Sequence, residues 1–154
     1  YNQANMVLVV LDNSTTAMTG HQPHPGTGRT VMGEIVQKIN IEQVLRGIGV
    51  TEIETINPLE LEASVSCVKR MAEKSGVRAI IFKAPCIAVT KPKAPLHVDQ
   101  DSCIGCKKCI RDLGCPAIVM NDGKICIDAS MCTGCHLCSQ VCPVCAIAGG
   151  DDHE

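Results

Sequence analysis

The sequence holds no Trp, one Tyr and one Phe in 154 residues, so it offers almost no rings on which bases can stack. It also lacks an excess of positive charge. Fourteen Lys and Arg stand against 16 Asp and Glu, a formal net charge of −2, which leaves no basic stripe to follow a phosphate backbone. Nucleic acid is therefore not an expected partner. Long apolar runs are missing too: the longest, Met6 to Leu11, falls far short of the roughly 20 residues that cross a bilayer. No membrane span is expected. No basic-then-apolar leader opens the chain, so export is not expected and a cytoplasmic location is. A starting Met is absent as well, and Tyr1 falls just ahead of a strand, which makes a piece of a longer protein the expectation.

What is present is a globular composition, 45% hydrophobic and 19% charged, enough for one or two domains. The unusual quantity is cysteine, 12 residues, and its placement matters more than its number. Residues 1–95 contain only Cys67 and Cys86, whereas residues 96–154 contain the other ten, mostly in tight runs. A disulfide framework spreads its staples along the chain; a metal site concentrates them.

The first 87 residues alternate strand and helix signals, the pattern of a parallel α/β layer. Met6–Leu11 reads as a strand buried on both faces, Ile53–Ile56 as a second and Arg78–Phe82 as a third. Residues 13–28 are too rich in Ser, Thr, Pro and Gly to hold a regular element. Asn40 predicts a helix cap with Gln43 at the third position, an apolar face of Ile41, Val44, Leu45 and Ile48, and a stop at Gly49. Asn57, Pro58 and Glu60 predict a second cap, followed by a buried stripe of Leu61, Val65, Val68 and Ala72 and a stop at Gly76. Three strands and two helices make a thin core, and this half reads as incomplete.

Residues 89–95, with two prolines and alternating lysines, read as a stiff linker. Beyond it lies a repeat. Asp99, Cys103, Gly105, Cys106 and Cys109 recur 29 residues on as Asp128, Cys132, Gly134, Cys135 and Cys138. Between the units, Asn121-Asp122-Gly123 predicts a hairpin turn, so the two units are expected to face each other about a pseudo-twofold axis.

Each unit supplies three Cys at two-residue spacing and a fourth followed by proline: Cys103, Cys106, Cys109 and Cys115-Pro116, then Cys132, Cys135, Cys138 and Cys142-Pro143. This resembles the bacterial two-[4Fe–4S] ferredoxin signature, in which the fourth Cys of each run ligates the other cluster. The resemblance implies that Cys103, Cys106, Cys109 and Cys142 hold one cluster, and Cys132, Cys135, Cys138 and Cys115 the other. Gly105 and Gly134 lack a β-carbon, which lets the loops approach a cluster and aim N–H groups at its sulfurs. One departure stands out: five residues separate Cys109 from Cys115 where the second run has three. The spacings from Cys109 to Ile118 and from Cys138 to Ile147 are equal, so the repeat keeps its length and Cys115 is expected to reach its iron from a shifted turn. Cys126 or Cys145 in its place is the alternative. Structural zinc is a further one, separable by colour, because an iron–sulfur protein is brown and a zinc protein colourless. Cys67, Cys86, Cys126 and Cys145 read as small core hydrophobes and His136 as a surface residue.

The loop after the first strand runs Asp12-Asn13-Ser14-Thr15-Thr16-Ala17-Met18-Thr19-Gly20. Taken alone it is an oxygen-rich loop at the carboxyl end of a parallel strand, suited to a hard cation or to nothing in particular. It resembles the second half of the thiamine-diphosphate/Mg²⁺ motif of the 2-oxoacid:ferredoxin oxidoreductases, most closely the form in large subunits of indolepyruvate:ferredoxin oxidoreductases. There the resemblance implies Asn13 as a side-chain ligand of Mg²⁺, Thr15 as a carbonyl ligand, and Met18-Thr19-Gly20 around thiamine diphosphate. His21 and His24 are candidates for phosphate or substrate contact, or for an ordinary loop role. The family motif opens with a Gly-Asp element nearly 30 residues upstream of that Asn, which lies outside this sequence. Half the site is expected here.

The fold so implied is α/β: the C-terminal part of a thiamine-diphosphate-binding parallel-sheet domain over residues 1–88, a linker over 89–95, and an α+β two-cluster ferredoxin domain over 96–154. The activity implied is thiamine-dependent oxidative decarboxylation of a 2-oxoacid, with indolepyruvate or another arylpyruvate favoured by likeness, to an acyl-CoA. Two [4Fe–4S] clusters would relay the electrons to an external ferredoxin, beside a second, smaller subunit. No catalytic residue is assigned, and this fragment by itself is expected to be inactive. The competing reading is a ferredoxin-like electron-transfer module on an unrelated α/β scaffold.

Overall fold

A computed structural model describes residues 2–149. Contacts divide the chain between Thr90 and Lys91 into two compact units.

The first unit is a three-stranded parallel sheet with two helices. Its elements are β1 (Met6–Asp12), α1 (Ile41–Gly47), β2 (Glu52–Ile56), α2 (Leu61–Glu73) and β3 (Val77–Lys83). The sheet order is β1-β3-β2, with Leu8 opposite Ala79 and Ile53 opposite the same residue from the other side. The central strand is therefore β3, and its Arg78, Ala79, Ile80 and Ile81 are all buried. The expectation that Met6–Leu11 is buried on both faces fails: β1 is an edge among the described residues, and Met6, Leu8, Val9 and Leu11 are exposed. A continuous apolar run marks a strand that needs cover on both faces but does not say which neighbours supply it.

The helices show a similar correction. Asn40 caps α1 as expected, its Oδ1 accepting from the Gln43 N–H at 3.2 Å, and Gly49 follows with φ +95. Only Leu45 of α1 is buried, packed with Val50, Ala79 and Ile81 and flanked by Ile41, while Val44 and Ile48 point outward. In α2 the buried residues are Ser64, Cys67 and Met71, whereas Val65 and Val68 stay 44% and 45% exposed. The stripe is thus rotated by one position from the predicted Leu61, Val65, Val68 and Ala72. Cys67, wholly buried against Met71 and Ile80, is a core residue. The helix also starts later than its cap signal. Asn57 Oδ1 accepts from the Leu59 N–H at 3.0 Å within a turn, and Glu60 precedes the first helical residue. Behind α2, the buried Arg78 guanidinium donates to Met71 O at 2.9 Å, a carbonyl that the end of the helix leaves unpaired, and to Gly76 O and Asn5 Oδ1.

The second unit contains β4 (Leu96–Val98), α3 (Lys108–Leu113), β5 (Ile118–Asn121), β6 (Lys124–Ile127), α4 (Leu137–Val141) and β7 (Ile147–Gly149). Antiparallel pairing joins β4 to β7 and β5 to β6, and the 29-residue repeat relates one pair to the other. Val98 faces Ile147 as Ile127 faces Ile118. The exchange is reciprocal. The Asp99 N–H donates to Ala146 O at 2.8 Å, and the Asp128 N–H donates to Ala117 O at 2.8 Å. The predicted hairpin turn has Asp122 and Gly123 both at positive φ, the left-handed geometry of a two-residue hairpin connection. Leu96, Ala117, Ile118, Ile125, Val141, Ala146 and Ile147 are its buried aliphatics.

Candidate cofactor sites

Each cysteine loop begins at an Asp. Asp99 Oδ1 accepts from the Asp101 N–H and its carbonyl from the Cys103 N–H, both at 3.0 Å; Asp128 treats Ser130 and Cys132 likewise, at 2.8 and 3.0 Å. The loops then turn through Gly105 and Lys107 in one unit and Gly134 and His136 in the other, with φ between +59 and +67 at all four. Those turns deliver Cys109 and Cys138 to the first turns of α3 and α4, where both are buried.

The two-residue departure before Cys115 has a visible cause. Helix α3 runs on to Leu113 and is closed by left-handed Gly114, whose N–H donates to Ile110 O at 3.1 Å, whereas α4 stops at Val141 and Cys142 follows directly. The repeat is back in step by Ala117 and Ala146.

Cys103, Cys106, Cys109 and Cys142 line one hollow, with Ile125 and Ile147. Burial, and then the neighbouring Cys106 and Cys142, push the Cys109 thiol upward against the lowering effect of nearby backbone N–H groups. Cys138 is pushed up to about 11, first by burial and then by Cys135, Cys132 and Cys115. Cys142 thus lines the hollow of the first run's three cysteines, and Cys115 is among the charges felt by Cys138. The Ala146 N–H donates to Cys142 Sγ at 3.3 Å. All twelve cysteines are free thiols. Among the described residues no three His, Cys, Asp or Glu converge closely enough for a single metal ion. Soft sulfur donors around an apolar hollow, with a backbone N–H aimed at one of them, fit an iron–sulfur cluster.

Three of the four remaining cysteines depart from the core reading. Cys86 and Cys126 are half-buried, and Cys145 is exposed at φ +52, at the repeat position that Pro116 occupies in the first unit. His136 is half-buried, and its carbonyl accepts from the Ser139 hydroxyl at 2.8 Å.

The Asp99 carboxyl is held below the usual range by the Ser102 hydroxyl and then the Asp101 N–H, and the Asp128 carboxyl by the Ser130 hydroxyl and N–H. A depressed carboxylate favours the folded loop fully above its unfolded value, and that contribution disappears as pH falls toward the lower folded value. Asp99→Asn with Asp128→Asn is therefore expected to flatten the acid limb of cluster retention below about pH 4. Bleaching rate against pH reads this out.

In the first unit, β1 ends at the carboxyl edge of the sheet. Asp12 Oδ1 accepts from the Ser14 N–H at 3.0 Å and Asn13 Oδ1 from the Thr15 N–H at 3.2 Å, while Asp12 O and Asn13 O accept from the Ala84 and Cys86 N–H groups. Asn13 lines an open hollow with Leu11, Phe82 and Pro58. Asp12, which sequence reasoning passed over, borders both this hollow and a polar one that includes Lys38, Asn40 and Lys83; it lies 3.8 Å from Lys83 Nζ. Its position as the last residue of a strand ending in an oxygen-rich loop was the available signal. Met18, Thr19 and Gly20 are not gathered at either hollow. They are exposed in a loop closed by the Thr16–Gln22 bridge, with residues 17–19 in a single 3-10 turn. His24 serves the loop, its Nδ1 accepting from the Gly26 N–H at 3.1 Å, and His21 is exposed. Amide and carbonyl oxygens at Asn13 and Thr15 fit a hard cation, and two such donors make part of a six-oxygen shell.

Residues 1–82 match the family described as the thiamine pyrophosphate enzyme C-terminal TPP-binding domain. The chain belongs to that family. Residues 96–143 match the 4Fe-4S dicluster domain, so this thiamine pyrophosphate enzyme chain carries an iron–sulfur unit behind its α/β unit. The two matches identify thiamine pyrophosphate, the diphosphate of the motif, and two [4Fe–4S] clusters as its cofactors, and they set aside both the zinc reading and the unrelated scaffold. The chain is similar to the indolepyruvate oxidoreductase subunits IorA of Methanothermobacter thermautotrophicus, Archaeoglobus fulgidus and Thermococcus kodakarensis. The identities are 44%, 39% and 40%, over 96%, 96% and 93% of this chain and 24%, 25% and 24% of those relatives. It therefore spans about a quarter of their length. No solved structure matches. No helix among the described residues is long and apolar enough to cross a membrane.

Proposed function

We propose that the chain is the C-terminal portion of the large subunit of a 2-oxoacid:ferredoxin oxidoreductase acting on indolepyruvate or a related arylpyruvate. What supports this reading is the pairing, in one chain, of the thiamine pyrophosphate enzyme domain over residues 1–82 with the 4Fe-4S dicluster domain over residues 96–143. Thiamine diphosphate supplies the carbanion chemistry of decarboxylation when bound. The residues of this chain then have two tasks. Asn13 and Thr15 offer oxygen ligands to Mg²⁺, and Met18, Thr19 and Gly20 border the cofactor. Cys103, Cys106, Cys109 and Cys142 hold one [4Fe–4S] cluster, and Cys132, Cys135, Cys138 and Cys115 the other. The net reaction converts one 2-oxoacid, coenzyme A and two oxidised one-electron carriers to acyl-CoA, carbon dioxide, a proton and two reduced carriers. Two one-electron centres match that stoichiometry.

The domain division proposed is a partial thiamine-binding domain over 1–88, a linker over 89–95 and the ferredoxin domain over 96–154. A second, smaller subunit completes the enzyme, since each relative is named as a subunit. Twelve free thiols suit a reducing compartment, the cytoplasm. The test is anaerobic purification of the complete two-subunit enzyme. It is expected to contain about eight irons in this chain's clusters, and to reduce a viologen on addition of indolepyruvate, coenzyme A and thiamine diphosphate. Iron-free protein, or no 2-oxoacid-dependent reduction with any arylpyruvate, overturns the reading. Asn13→Ala in that enzyme is expected to weaken thiamine diphosphate/Mg²⁺ binding by about 10- to 100-fold or more with iron content unchanged, measured by calorimetric titration.

A further inference from the structure

The repeat is symmetric in backbone but not in exposure or charge. At the Cys132–Cys135 loop, the chain segment arriving from residue 91 lies directly on the backbone. Lys93 N–H donates to Thr133 O at 3.3 Å, and a β-carbon at Gly134 would stand 2.7 Å from Ala94 O and from Lys93 Cβ. Gly134 is buried, and Thr133, Cys135 and His136 are half-buried. At the equivalent Cys103–Cys106 loop nothing lies within 4 Å of the same point on Gly105. There Ile104 is 65% exposed, and Gly105, Cys106 and Lys107 are exposed with it.

The loops' own charges differ too. The second unit, residues 91–154, contains six basic side chains against eight acidic ones; Lys107, Lys108 and Arg111 stand beside exposed Cys106, while Lys93 lies on the covered loop. All three cations beside Cys106 are exposed. Their repeat equivalents are His136, Leu137 and Gln140. Asp112 lies 4.0 Å from Lys108 and offsets one of the three charges, an exposed pair that contributes little by itself. The patch stays net positive on a unit that is otherwise acidic.

We infer that the Ile104–Lys107 loop and the basic side chains of Lys107, Lys108 and Arg111 form the docking surface for an acidic one-electron carrier protein, and that the quartet Cys103, Cys106, Cys109 and Cys142 is the exit site. This rests on the electron-relay function proposed above and specifies its partner surface. An exposed apolar residue followed within seven positions by three exposed cations, next to a thiol ligand, brings a carrier close to the site. The covered second loop offers no such approach. One electron passes per encounter, so two carriers are reduced for each 2-oxoacid oxidised. Complementary charge acts mainly on encounter rate, which makes the contact salt-dependent.

The experiment uses the complete enzyme with an acidic ferredoxin as probe and a small viologen as an acceptor that needs no docking. Lys107→Asn, Lys108→Gln and Arg111→Gln are combined, Asn being chosen because position 107 has φ +59. The combined variant is expected to bind immobilised ferredoxin about tenfold or more weakly at low salt, with a flattened salt dependence. Its iron content and viologen reduction stay native, and Lys124→Gln, which removes a basic residue outside the patch, leaves ferredoxin affinity unchanged. On the native enzyme, ferredoxin is expected to protect Lys107 and Lys108, but not Lys124, from acetylation, a readout independent of any variant's folding. Unchanged ferredoxin affinity in the combined variant, or no protection of Lys107 and Lys108, overturns the docking surface while viologen reduction leaves the function standing. Failure of the native enzyme to reduce either acceptor strikes the functional reading itself.

Discussion

Cys115→Ala, made in the complete subunit, is expected to remove one of the two clusters and lower the iron from about eight to about four per chain. Cys126→Ala and Cys145→Ala are expected to leave all of it. The discriminating observation is the company each thiol keeps. Cys115 is among the thiols that push Cys138 upward, together with Cys132 and Cys135. Cys145 is exposed at φ +52, and Cys126 pairs across the hairpin with Val119. Iron and acid-labile sulfide analysis on anaerobically prepared protein reads the result. Equal iron loss in Cys145→Ala, or full retention in Cys115→Ala, would show that the quartet has been drawn with the wrong fourth member. Thermal stability should fall with the iron, because the proposed ligands of each cluster come from both halves of the unit and cluster binding is coupled to folding.

Gly134→Ala should damage the protein far more than Gly105→Ala. Both glycines are left-handed, at φ +67 and +66, so either substitution carries a conformational penalty of about 1–2 kcal/mol. Only at 134 does the added methyl meet a wall. It would stand 2.7 Å from Ala94 O and Lys93 Cβ, and neither is the loose end of a flexible side chain. The covering segment has to lift, losing the Lys93 to Thr133 hydrogen bond, with a further cost of about 1–3 kcal/mol for overpacking. The loss of visible absorbance on warming under nitrogen is expected to run about tenfold or more faster in Gly134→Ala than in Gly105→Ala. Equal rates would mean that the segment over Gly134 does not hold the loop.

The ferredoxin unit was legible because its chemistry is written at fixed spacing. Cys103, Cys106 and Cys109 stand at the offsets of the two-cluster signature, and the 29-residue repeat supplied the pairing of strands. The shifted turn at Cys115 followed from conserving the distance to Ile118, and left-handed Gly114 is how the chain achieves it. The α/β unit was less legible. Apolar periodicity in α2 admits two neighbouring stripes, Val65 with Val68 or Ser64 with Cys67 and Met71. The Ile80 side of β3 selects the second, and that choice is a tertiary one. The edge position of β1 was hidden for the same reason. Of the thiamine loop, its place at the carboxyl end of β1 was readable, whereas the exposure of Met18, Thr19 and Gly20 depends on the Thr16–Gln22 closure, which no spacing rule announces.

The mirrored bonds from Asp99 to Ala146 and from Asp128 to Ala117 have a historical implication. Two separate peptides of half the length, related by a true dyad, would satisfy every one of them. Joining the copies through the Asp122-Gly123 bend keeps the geometry while releasing each half from identity with its twin. One copy was then free to gather cations, and the other to accept a roof.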